Sequence, residues 1–100
     1  MIVQSQPRDG RADEYNHWYG GKHLADICAI PGVTSARRFH ALPPFIGKPG
    51  MPYLAIYEIE TDKPETVLVE LEKRAANGTM EVSDALDAEA TVLWLYETRT

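Results

Sequence analysis

Tyr15, Asn16, Trp18, Tyr19, His23 and Asp26 fall within one short stretch, and Ile30-Pro31-Gly32-Val33 follow at once. On a helix advancing about 100° per residue, Tyr15, Tyr19, His23, Asp26 and Ile30 share one face, with Ile27 at its edge. An aromatic stripe of this kind packs against a sheet, which puts a histidine and a carboxylate at a partly dry boundary where their acid and base strengths can be tuned. Asp13 can cap the helix, and Pro31 ends it near Ala29 by disfavouring helix in the residue before it. Gly20-Gly21 is the weak point, because each glycine costs roughly 1 kcal/mol against alanine in a helix interior and the pair can fray or bend it. The heavy side chains on both sides nevertheless continue one phase without a slip.

The rest of the chain alternates strand and helix signals. Ile2 to Gln6 reads as a short strand closed by Pro7 and an Arg8-Asp9-Gly10-Arg11 turn. Val33 to Ala41 is a second strand, followed by a Pro43-Pro44 break and a Gly47-Lys48-Pro49-Gly50 loop. Tyr53 to Glu60 is a third, with Tyr53, Ala55, Tyr57 and Ile59 on one face and Leu54, Ile56, Glu58 and Glu60 on the other. Asp62 and Pro64 open a second helix whose inward residues are Val67, Leu68, Leu71 and Ala75, with Glu70 and Arg74 as a solvated pair and Asn77-Gly78 as the stop. Thr79 to Ala90 is acidic and irregular, with room for one helical turn capped by Ser83. Thr91 to Thr98 is the last strand, with Val92, Trp94 and Tyr96 opposite Leu93 and Leu95.

The order strand, helix, strand, strand, helix, strand is the ferredoxin-like βαββαβ pattern, an α+β fold with an antiparallel four-stranded sheet in one domain spanning residues 1–100. Two helices cover only one face of such a sheet. The apolar residues on both sides of the last two strands therefore predict a homodimer that buries the other face.

Fifteen acidic and ten basic residues give a formal charge of −5, with the basic residues scattered apart from Arg37-Arg38, so nucleic acid is a poor partner. No basic start leads into an apolar run, and no stretch reaches the roughly 18 apolar residues of a membrane span; a soluble cytoplasmic protein is expected, with no membrane partner. The lone Cys28 excludes an intrachain disulfide and reads as a structural thiol rather than a nucleophile. Asp84, Asp87 and Glu89 lack the glycine-spaced ligand pattern of a calcium loop and read as a solvated acidic segment.

The run Tyr15-Asn16-x-Trp18-Tyr19-x-x-x-His23-Leu24-x-Asp26, then Ile30-Pro31-Gly32-Val33-x-x-Ala36-x-Arg38-Phe39, resembles the EthD-like branch of the dimeric α+β barrel superfamily. Met80, Ser83-Asp84-Ala85-Leu86-Asp87 and Trp94-Leu95-Tyr96-Glu97 extend the resemblance nearly end to end, while Gly20-Gly21 departs from the acidic or polar residues often found there. The resemblance implies a dimer whose two sheets face one another as a barrel, a ligand cleft between helices and sheet in each subunit, and His23 as the residue for the chemistry. Members of the superfamily include polyketide cyclases, lactone isomerases, quinol-forming monooxygenases and haem-degrading enzymes, so the fold does not choose the reaction.

His23, with an ordinary pKa near 6.5, suits a general acid or base; it also reads as a core histidine bonded to Asp26 one turn on. Asp26 can fix the tautomer of His23 and favour its imidazolium form, or simply be a helix-surface carboxylate. Tyr15, Tyr19, Trp18, Tyr57 and Arg38 are the candidate substrate contacts, each also readable as packing or, for Arg38, as a rim charge. Asn16, His17 and Trp18 are consecutive and point three ways around the helix, which argues against a shared haem pocket; His40 has no clear partner, and no histidine stands at metal-ligand spacing to His23. No phosphate loop, metal cluster or lysine in an apolar run calls for a cofactor. The expectation is cofactor-independent proton transfer (isomerisation, cyclisation, dehydration or lactone chemistry) on a small apolar, aromatic or polycyclic carbonyl compound. A non-catalytic binder and a haem protein are the alternatives.

Overall fold

The computed structural model describes residues 1–99, in which the sequence pattern becomes β1 (Ile2–Ser5), α1 (Ala12–Trp18), a π-helical turn (Tyr19–His23), α2 (Leu24–Cys28), β2 (Val33–His40), β3 (Tyr53–Ile59), α3 (Glu65–Ala76) and β4 (Val92–Trp94). The four strands form one antiparallel sheet in the order β2-β3-β1-β4, the strand order of a ferredoxin-like sheet. β4 is shorter than the sequence pattern suggests, because its one neighbour is the four-residue β1 and only Val92, Leu93 and Trp94 pair with it. No helical turn forms between Thr79 and Ala90; the Ser83 hydroxyl instead accepts the Ala85 N–H at 3.1 Å within a turn, and Leu86 bridges Pro7.

Period-two alternation sorts each strand cleanly. Val3, Ser5, Ala55 and Tyr57 turn toward the helices and are buried with Tyr15, Tyr19, Ile27, Ile30 and Val67. Ser5 is a polar residue within this core, and its hydroxyl meets that of Tyr15 at 2.5 Å, so neither oxygen is buried alone. Register places the other face in rows: Arg37, Ile56, Ile2 and Trp94 run side by side across all four strands, with Phe39 opposite Leu54 in the next row. Ile56, Phe39 and Val92 are exposed there, and among the described residues no helix covers them.

The turn between α2 and β2 needs glycine. Gly32 has φ +99°, which residues with a Cβ rarely adopt, and an added Cβ would lie 3.4 Å from Cγ2 of the buried Val67. This close approach lets α3 pack beside the start of β2. α3 opens at Pro64 without a side-chain cap and closes at Asn77, with Gly78 at φ +81°, as the Asn-Gly stop signal implies. Glu70 and Arg74 pair at 2.8 Å across one of its turns.

The first helix departs from the expected straight rod. At Gly20-Gly21 the backbone bonds lengthen by one residue, so that the Leu24 N–H donates to the Tyr19 carbonyl, five residues back. A π turn holds one residue more than an α turn, which sets the phase of everything after it back by about 100°. Ile27 moves from the edge of the buried face to its centre and is buried, while Asp26 moves off it. The single phase expected from the heavy side chains is thus broken, and the two glycines are where it breaks.

Candidate functional site

Beneath the helical stretch 12–28, an apolar cavity of about 150 Å³ opens between helices and sheet. Val3, Ser5 and Leu93 form its floor on the sheet, and Tyr19, His23 and Ile27 reach it from the helix. Leu71 and Ala75 of α3 close one side, as the inward-facing pattern of that helix implies. Met80, Val82, Leu86 and Thr91 close the other from the irregular segment after α3. That segment is held down by hydrogen bonds from Trp18 Nε1 to the Glu81 carbonyl at 3.2 Å and from Arg11 to the Asp84 carboxylate at 2.6 Å. A larger, polar depression of about 430 Å³ runs along Gln6, Pro7, Arg8, Asp9, Pro52 and Asp87, where the Asp87 carboxylate accepts from Gln6 Nε2 at 3.0 Å.

His23 is the one basic side chain in the cavity wall. It is 8 % exposed, stacked on Trp18 at a centroid distance of 4.3 Å and met edge-on by Tyr19 at 4.8 Å. Its Nδ1 is buried with no hydrogen-bond partner among the described residues. Burial pulls its pKa down from 6.5 to about 4, outweighing the attraction of Asp26, so the ring is neutral at pH 7.

Of the two readings of Asp26, the carboxylate that accepts from His23 and favours its imidazolium form is not the one that formed; the helix-surface carboxylate is. Asp26 accepts from Lys22 Nζ at 2.7 Å on the outside of the helix. Lys22–Asp26 is an exposed pair worth little in stability; its consequence is positional.

The remaining candidates divide into three groups. Tyr19 lines the cavity with His23, and burial pushes its hydroxyl up to about 12. Tyr57 stands behind it, its hydroxyl 3.0 Å from that of Tyr19, with its pKa raised by burial; Tyr15 is held by Ser5, and Trp18 supports the histidine ring from outside the cavity wall. Arg38 is not in the cavity wall at all. Its guanidinium lies on the outer side of the tyrosines, 4.6 Å from the Tyr19 ring centroid. His17 and His40 are exposed, and Cys28 is a half-buried free thiol.

The cavity wall contributed by Met80, Val82, Leu86 and Thr91 escaped the sequence reading, because no periodicity marks an irregular segment. Its one signal was Met80, Val82 and Leu86, the large apolar residues set into an acidic run. Among the described residues no three His, Cys, Asp or Glu side chains come together to hold a metal, and no helix is long and apolar enough to cross a membrane. The Asp84 and Asp87 carboxylates are instead engaged by Arg11 and Gln6, whose hydrogen bonds hold both below the usual carboxylate range. No family model, curated protein or solved structure matches this chain.

Proposed function

We propose that this chain is an EthD-like protein of the dimeric α+β barrel type that takes a small apolar carbonyl compound into the cavity and moves a proton on it through His23, with no organic cofactor. The observation that carries this reading is the neutral, buried imidazole in an apolar wall, its Nδ1 lacking a partner. A neutral imidazole can accept a proton from the carbon beside a carbonyl. The enolate so formed favours the imidazolium it faces, since an opposite charge in a dry site stabilises it, and the ring can then return the proton to another carbon. An apolar cavity of roughly 150 Å³ suits a single benzene-sized ring, which favours monocyclic enones and lactones.

The pairing of Asp26 with Lys22 favours a second reading, a binder without catalysis, because no carboxylate is hydrogen-bonded to His23 to support its charged form. A panel of monocyclic enones and lactones, screened first for binding and then for conversion, separates the two. Under the first reading His23→Gln keeps the fold and ligand affinity while turnover falls about 10²- to 10⁴-fold. Saturable binding with no conversion by the parent protein establishes the second.

A further inference from the structure

We propose a second ligand site, independent of the apolar cavity, in which Arg38, His40 and Tyr53 receive the carboxylate of a small aromatic acid, while Asn16, its amide fully engaged by Ala12, Tyr53 and Arg38, holds the last two in place. Register places Arg38 and His40 on the helix-facing side of the edge strand β2, with Tyr53 directly opposite His40 on β3. Together with Asn16 of α1 and Phe39 they line a groove of about 250 Å³ that has no acidic side chain in its wall.

The guanidinium is already held in place. Its Cζ lies 4.6, 5.5 and 5.7 Å from the ring centroids of Tyr19, Tyr53 and Tyr15, and its Nη2 donates to Asn16 Oδ1 at 2.8 Å. That bond uses one of its five N–H donors, and among the described residues no carboxylate pairs with it. Asn16 Nδ2 donates in turn to the Tyr53 hydroxyl at 3.0 Å, which leaves the phenol proton free to be given to a ligand. A Cβ at Gly20 would sit 3.6 Å from Nη1, so the glycine of the π turn keeps that edge of the guanidinium uncrowded.

A half-buried cation, fixed by three rings and lacking an anion, is arranged to accept one from outside. With the guanidinium laid against aromatic faces, its in-plane edges are what remain available, and a planar two-oxygen acceptor matches them better than a tetrahedral one. The ring of Tyr53 beside it suits an aromatic body, while the Phe39 ring lies with Arg37 on the other face of the sheet. Tyr19 separates this groove from the cavity, lining the cavity while carrying Arg38 on its ring.

Benzoate is the probe, followed by NMR at the Arg38 side-chain N–H and the Tyr53 ring, with benzyl alcohol as the uncharged control. Saturable shifts at Arg38 and Tyr53 with benzoate and none with benzyl alcohol are expected. Arg38→Gln should weaken benzoate at least about tenfold, the scale of a lost charged hydrogen bond. Because Arg38→Gln can also loosen the tyrosine layer, Tyr53→Phe serves as the second variant; it keeps the ring and should weaken benzoate by a smaller factor. The proposal is overturned if no shift saturates, if the shifts fall on Met80 and Leu93 in the cavity, or if both variants bind as the parent does. Displacement of benzoate by equimolar inorganic phosphate overturns the carboxylate assignment.

Discussion

Trp18 and His23 stack at a centroid distance of 4.3 Å and an interplanar angle of 26°, although five residues separate them in sequence. In an α-helix such residues stand about 140° apart around the axis and cannot stack. The π turn at Tyr19–His23 brings them to one side. One backbone irregularity therefore gives the histidine its indole neighbour.

Deleting Gly21 should remove the extra residue and close the π turn to an α turn. Trp18 and the histidine would then stand four positions apart, about 40° around the axis, and keep their stack. The expected readouts are an unaltered Trp18 fluorescence and a His23 pKa that stays depressed by NMR. Gly21→Ala makes a second test, since an added Cβ at Gly21 meets nothing within 4 Å. It should keep the stack and stabilise the fold by about 0.5–1 kcal/mol through the less flexible unfolded chain. Loss of the stack in the deletion variant would mean that the π turn itself, and not the phase it preserves, positions these rings.

The depressed pKa of His23 makes stability depend on pH with a definite sign. Above about pH 6.5 the ring is neutral in both states and contributes no slope. Between 6.5 and about 4 the unfolded chain takes up a proton that the folded chain refuses, so stability falls as pH falls; below about 4 this residue's contribution levels off. The whole difference is about 3 kcal/mol, of which about 2 kcal/mol is lost by pH 5. Asp84, Asp87 and Glu70, whose carboxyls hydrogen bonds hold below their ordinary values, weaken the fold only at lower pH. Denaturant unfolding at pH 7.5 and 5.0 should show that loss in the parent and much less of it in His23→Phe, His17 and His40 being common to both. Equal losses in the two proteins would remove His23 as the cause.

The uncovered sheet face carries a quantitative expectation of its own. Ile56, Ile2 and Trp94 adjoin across three strands with Phe39 and Leu54 alongside, an apolar row of the kind that marks an interface. Light scattering at micromolar concentration should report a dimer, and Ile56→Lys should shift it to monomer while leaving the helix-side core intact. A well-folded monomeric parent rejects the barrel.

Much of the fold was legible because its signals are local. Pro31 stopped the first helix, Asn77-Gly78 stopped α3, Pro43-Pro44 ended β2, and period-two alternation in Tyr53–Ile59 separated the faces of β3. The order of those elements then left few ways to pair the strands, and β2-β3-β1-β4 is the arrangement that formed.

The candidate site was legible in its residues but not in their grouping. Sequence spacing put Tyr15, Tyr19, His23 and Asp26 on a single helix face, with Trp18, Tyr57 and Arg38 as further candidate contacts; the fold leaves His23 and Tyr19 in the cavity wall, sends Asp26 outward to Lys22 and puts Arg38 across the tyrosine layer. Two adjacent glycines permit either an α or a π turn at similar local cost, and the choice falls to the packing of Tyr15 and Trp18 on one side and Ile27 and Ile30 on the other. The sequence by itself determined where the elements begin and end and which face of each is apolar, since those depend on neighbours along the chain. Tertiary structure alone decided the helix phase, the cavity beneath His23 and the separate setting of Arg38, because each depends on distances between segments that the chain brings together only when it packs.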